Sequence, residues 1–95
     1  MNSEKVEKIG FVKASIYRNN ILLFLGDKMR KPSEIANHVE ISITNVSRYL
    51  KDLMEINFIE CLNPDAKMGR MYSLTEEGKD ILQYLEPMKK KSKKV

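Results

Sequence analysis

Cysteine and histidine are nearly absent from these 95 residues, which hold one of each, Cys61 and His38, and tryptophan is missing altogether. A lone cysteine cannot staple a fold, so Cys61 is expected as a small apolar residue in a strand. One Cys and one His cannot build a zinc site by themselves, and no cofactor is expected. There is no Gly-rich phosphate loop, and no nucleophile has a partner in view, so the residue set speaks against an enzyme and gives no sign of a small-molecule substrate. The longest apolar run, Ile21-Leu22-Leu23-Phe24-Leu25, falls well short of the roughly 18 residues a membrane span needs. The start, Met1-Asn2-Ser3-Glu4-Lys5, lacks the shape of a signal peptide. A soluble, cytoplasmic protein without a membrane partner is the expectation.

What is present is one domain's worth of chain, 42% hydrophobic and 32% charged. A chain this short buries only about two-thirds of its unfolded surface, which makes dimerisation a reasonable way to cover more. The net charge of +4 is misleading, because Lys89, Lys90, Lys91, Lys93 and Lys94 crowd the end. Without those five, 12 basic residues face 13 acidic ones. Any case for an anionic partner therefore rests on where the charges lie.

The periodicity predicts mainly α structure with a small antiparallel hairpin. Residues 1–10 suit a frayed helix, a strand or an arm. From Phe11 to Leu25, Val12, Ile16, Leu22, Leu23 and Leu25 suggest one helix ended by Gly26, with Asn19 and Asn20 as weak points in its middle. After a turn, Pro32 opens a short helix holding Ile35, Ala36 and Val39. His38 is expected on its surface. Ser42 caps a third helix, whose apolar stripe is Ile43, Val46, Leu50 and Leu53, and Asn57 ends it. Phe58–Leu62 and Arg70–Leu74 read as strands flanking a turn rich in Asn, Pro, Asp and Gly. Thr75 caps a last helix with apolar face Ile81, Leu82 and Leu85, closed by Pro87. The Lys-rich stretch 89–95 is expected to be disordered, with residues 1–88 as the domain.

A short helix, a tight turn and a longer polar-faced helix form a helix-turn-helix, and the hairpin after it is a wing. The helix of residues 42–56 carries Thr44, Asn45, Ser47, Arg48 and Lys51 opposite its apolar stripe, with Ser42 at its start. Arg suits guanine, Asn suits adenine, and Thr suits a thymine methyl, so this helix fits the major groove of double-stranded DNA. The alternative is a solvated face in which Arg48 pairs with Asp52 and Lys51 with Glu55, each four residues on. In the wing, residues 63–70, Lys67 and Arg70 flank Gly69 and suit phosphates or the minor groove. Arg30, Lys31 and Ser33 stand where the N-terminus of the short helix could hold backbone phosphates. Tyr49 and Tyr72 are expected as packing residues. The tail lysines either add salt-sensitive affinity for DNA or only keep the protein soluble.

The stretches Lys31-Pro-Ser-Glu-Ile-Ala, Asn45-Val-Ser-Arg-Tyr-Leu-Lys-Asp-Leu and Ile59-Glu-Cys-Leu-Asn-Pro-Asp-Ala-Lys-Met-Gly-Arg-Met-Tyr-Ser-Leu-Thr-Glu-Glu-Gly resemble archaeal winged helix-turn-helix transcriptional regulators of the ArsR/MarR-like group. The pattern is similar to the euryarchaeal archaellum-regulator type. The resemblance spans roughly residues 13–86. It implies a homodimer on DNA, with Asn45, Ser47 and Arg48 in the major groove, Lys67 to Arg70 at the wing, and dimer contacts through the terminal helices, the arm 1–12 included. Two departures stand out: Lys31 where relatives place a capping Thr, and Asn57 where they place Gly. Metal sensing, which needs clustered ligands, is put in doubt. A winged-helix protein-interaction module in a transcription or replication assembly is the competing reading, since one fold hosts many functions.

Overall fold

Four of the five α-helices among the described residues begin at a side-chain cap. The computed structural model describes residues 2–89. Asn2 Oδ1 accepts from the Lys5 amide at 2.7 Å and opens α1, Ser3–Lys13. Ser15 Oγ accepts from the Arg18 amide at 3.2 Å and opens α2, Ile16–Leu25. Ser42 Oγ accepts from the Asn45 amide at 3.1 Å and opens α4, Ile43–Glu55. Thr75 Oγ1 accepts from the Gly78 amide at 2.9 Å and opens α5, Glu76–Asp80. Each cap satisfies an amide left over by the first turn.

The remaining helix, α3, Pro32–Val39, starts differently. Lys31 has no acceptor to offer, so Glu34 reaches back instead and takes the Lys31 amide at 2.8 Å. Glu40 (φ 63°) and Asn57 (φ 67°) turn the chain out of α3 and α4 through left-handed conformations.

The single helix expected over residues 11–25 is two helices. Ser15 ends the run by capping α2, and its own amide donates to the Val12 carbonyl at 3.2 Å. Of the ambiguous N-terminal stretch, residues 3–10 are helical and belong to α1. Strands are shorter than expected: β1 is Ile59–Cys61 and β2 is Tyr72–Leu74, paired antiparallel with Ile59 opposite Leu74 and Cys61 opposite Tyr72. Arg30 adds a single bridge to the other edge of Tyr72, with both backbone bonds at 2.9 Å. The last helix also gives way early, to a 3-10 turn over Ile81–Tyr84. The Lys-rich stretch, beyond Lys89, lies outside the described residues.

The core runs between α2, α4 and the sheet. Ile21, Leu22 and Leu25 of α2 meet Val46, Leu50 and Leu53 of α4, Ile35 of α3, and Phe58 and Ile81, all essentially without exposure. Full burial of a side chain such as Phe58 is worth about 1.5–3 kcal/mol. Ile43, expected in the α4 stripe, is an exception at 52% exposed. It stands one turn before Val46, where α4 projects beyond the core.

α1 closes the far side. Ile9 and Val12 are buried there. Lys8 Nζ donates to Glu77 Oε2 at 2.8 Å, and Lys5 pairs with Asp80. Glu77 and Asp80 of α5 are thus matched with Lys8 and Lys5 of α1. No helix among the described residues is long and apolar enough to cross a membrane, and no group of three or more His, Cys, Asp or Glu among them could hold a metal.

Candidate nucleic-acid interface

Three segments distant in sequence meet in one open cleft of about 360 Å³. Lys31, Pro32 and Ser33 come from the start of α3, Ile43 and Ser47 from α4, and Lys67, Gly69 and Arg70 from the wing, with Tyr72 of β2 at the back. Six of these, Lys31, Ser33, Ser47, Lys67, Gly69 and Arg70, are sequence-expected site residues. The fold brings them to one concavity because α3 and α4 pack against each other and the hairpin follows α4 directly. Its charged side chains are all basic: Lys31, Lys67 and Arg70.

Next to the cleft lies the polar face of α4. Thr44, Ser47, Arg48 and Lys51, at spacings of three, one and three, share a side opposite Val46, Leu50 and Leu53 and are all exposed. Ser42, also exposed, caps the helix, and Asn45 is half-buried. The Arg48–Asp52 pairing of the alternative reading is not formed. Arg48 Nη1 donates to Asn45 Oδ1 at 3.1 Å, while Asp52 faces Arg18 at 4.0 Å. No Lys51–Glu55 ion pair occurs among the described residues either. Neither basic side chain of this face is held in an ion pair among the described residues.

Asn63 shapes the wing, and its sequence signal was only that of a turn residue. Its Oδ1 accepts from the Met71 amide at 2.8 Å, and its Nδ2 donates to the Gly69 carbonyl at 3.1 Å. Arg70 Nε donates to the Ala66 carbonyl at 2.8 Å. The tip is therefore a closed loop, with Gly69 at φ 70°, a region glycine enters without strain. Met68 projects from it, 86% exposed.

Arg30 stands apart from the other expected site residues. Its guanidinium lies 4.3 Å from the centre of the Phe24 ring, and its Nε is buried without a hydrogen-bond partner. The same ring stacks on His38, with centroids 3.9 Å apart and planes 9° apart. A guanidinium held against an aromatic ring is a packing arrangement, and Arg30 lines no part of the cleft. Tyr49 likewise packs, against Tyr17 at 5.6 Å, and Tyr72 is buried.

Two ionisable groups between α1 and α5 are shifted. The Glu77 carboxyl is held below the usual range, first by the hydrogen bond from Lys8 and then by one from Asn57. The Lys5 ammonium is held above its ordinary value, mainly by its hydrogen bond to Asp80.

A family model described as winged helix-turn-helix matches residues 13–93, and the chain belongs to that family. Among solved structures it is similar to HlyU from Vibrio cholerae, at 23% identity and a TM-score of 0.74, over 87% of this chain and 89% of that one. It is also similar to a doubly substituted ZitR from Lactococcus lactis, at 25% identity and a TM-score of 0.64, over 74% of this chain. It spans about half of that ZitR chain, 49%. No curated protein matches.

Proposed function

We propose that this winged helix-turn-helix chain is a sequence-specific transcriptional regulator that binds double-stranded DNA, with α4 in the major groove and the wing on the neighbouring backbone or minor groove. The observation that carries the reading is the basic cleft between α3, α4 and the wing, set beside an exposed face of Thr44, Ser47, Arg48 and Lys51. In this reading the sugar-phosphate strand that separates the two grooves runs through the cleft. Lys31, Lys67 and Arg70 meet its charge, and Ser33 and the free amides at the start of α3 donate to it. Ser42, Thr44, Asn45, Ser47 and Arg48 face base edges, which carry sequence information.

The working form is a homodimer, and residues 1–88 are the folded unit. α1 leaves Val6 (51%) and Phe11 (37%) exposed, an apolar surface suited to a second copy. A two-fold pair would place the two α4 helices about 34 Å apart, one turn of B-DNA. Archaeal regulators of the ArsR/MarR-like group, the archaellum-regulator type among them, are the subgroup its wing and α4 resemble. With DNA as partner it acts in the cytoplasm, by binding and without catalysis.

The test is selection of duplexes from a random pool, followed by titration of the winner against random DNA at near-physiological salt. A preference of about 10³-fold or more supports the reading. Equal binding to every duplex sinks it and favours a protein-interaction module.

A further inference from the structure

Ile43 breaks the pattern of its helix. Val46, Leu50 and Leu53 carry the apolar stripe of α4 into the core, while Ile43 stays 52% exposed. A single exposed aliphatic residue is ordinary on a protein surface. Its place here is not. Ile43 is the first residue of α4, directly after the cap Ser42. The first turn of a recognition helix is the part that reaches base edges. Ile43 also lines the basic cleft. Of the other apolar residues there, Pro32 is half-buried and Tyr72 is buried, so Ile43 is the exposed one.

The position within the cleft matters. Ile43 and Ser47 are one turn apart and both line it. Ser47 belongs at the same time to the exposed face with Thr44, Arg48 and Lys51. The two residues therefore mark the border between that face and the cleft. Thr44 points about 100° further round the helix and is not among the residues lining the cleft.

An aliphatic side chain offers nothing to a phosphate. Pressed against one, it would remove water without replacing a hydrogen bond. The major groove holds one apolar group that it can match, the C5 methyl of thymine. That methyl stands on the side of the base nearest its own strand. With a strand in the cleft, the border at Ile43 meets base edges at that side. Cytosine would present an amino donor and no methyl there, and Ile43 has no acceptor for it.

We infer that Ile43 is a specificity-determining residue that reads the C5 methyl of a thymine in the strand running through the cleft. The inference rests on the regulator reading for the placement of the duplex. Arg48 and its neighbours choose by hydrogen bonds, and Ile43 adds a choice made by apolar contact.

The test uses the full chain and the selected duplex, with each thymine replaced in turn by deoxyuridine. Uracil keeps every hydrogen-bonding group of thymine and lacks only the methyl. At one position or more, the replacement should weaken wild-type binding by about fourfold, as expected for one buried methyl group. Ile43→Ser should bind the thymine and uracil forms of one such position alike. Ile43→Val keeps a branched aliphatic end and should retain the discrimination there. The ratio at that position should also survive Thr44→Ser, whatever that variant does to overall affinity. Melting curves check that each variant is folded. Wild-type binding that ignores every replacement overturns the inference. So does an Ile43→Ser protein that discriminates as wild type does at every position, or a ratio that follows Thr44 instead of Ile43. If no duplex is preferred in the selection, the regulator reading fails and takes this inference with it. If a duplex is preferred and the thymine-to-uracil ratios do not depend on Ile43, this inference fails alone.

Discussion

Arg48 donates from Nη1 to Asn45 Oδ1 at 3.1 Å, one turn apart on the exposed side of α4. The bond orients the guanidinium along the helix face and takes one of the two lone pairs of Asn45 Oδ1. The remaining guanidinium donors of Arg48 match the two major-groove acceptors of guanine, N7 and O6. Arg48→Ala should cost about 1–3 kcal/mol of preference for the selected site over random DNA. Because Arg48 is exposed, its thermal unfolding should stay within about 0.5 kcal/mol of wild type. Parallel binding and melting experiments check both parts.

Asn63 is the latch of the wing, holding the Met71 amide and the Gly69 carbonyl across the loop. In Asn63→Ala both groups turn to solvent and the loop loses its fixed shape. Affinity for all duplexes should fall by about 1 kcal/mol or more, since each lost hydrogen bond is worth about 0.5–1.5 kcal/mol. The core does not involve Asn63, so global stability should change little. Limited proteolysis should show faster cutting between residues 63 and 70.

Gly78 lies against the Phe58 carbonyl so closely that a Cβ there would collide with backbone. Neither partner is a flexible side chain that could give way. Gly78→Ala should therefore destabilise the domain by at least about 1–3 kcal/mol, even though alanine favours helices. Chemical denaturation measures this, and an alanine variant as stable as wild type would show that α5 is free to shift.

Glu77 ties α5 to α1 and to the end of α4, accepting from Lys8 Nζ at 2.8 Å and Asn57 Nδ2 at 3.0 Å. Its pKa is lowered in the fold, so its stabilisation is present above the unfolded glutamate pKa and fades as pH falls through the folded value. Lys5 is the opposite case: raised by Asp80, it contributes below the unfolded lysine pKa and loses its contribution as pH rises through the folded one. Glu77→Gln should melt below wild type near neutrality, with the gap narrowing as pH falls below the unfolded glutamate pKa. A gap independent of pH would assign the effect to packing.

What the sequence disclosed was chemistry local to a few residues. Pro32, Ser42 and Thr75 marked helix starts, and Asn57 marked a positive-φ exit, because caps and turns are settled by residues within one turn. The basic cleft was legible in part, since Lys31, Ser33, Ser47, Lys67, Gly69 and Arg70 were picked out by type and order and share one cavity. Three features were not legible. Ser15 reads as the interior of one helix because its cap bond competes with a continuous apolar pattern. Arg30 was grouped with the basic residues, yet Phe24, six residues away, holds its guanidinium. Asn19 and Asn20 looked like weak helix formers because their partners, Glu86 and Met88, lie 67 and 68 residues further on. A polar pair inside an apolar stripe signals a distant backbone partner without saying which one.

The central claim, that α4 chooses DNA by sequence, is tested most directly by titrating the full chain onto a selected duplex and onto random DNA at about 150 mM salt. The account predicts a preference of about 10³-fold or more for the selected duplex, reduced by about tenfold or more in Arg48→Ala. Equal affinities for the two duplexes, unchanged by Arg48→Ala, would contradict it.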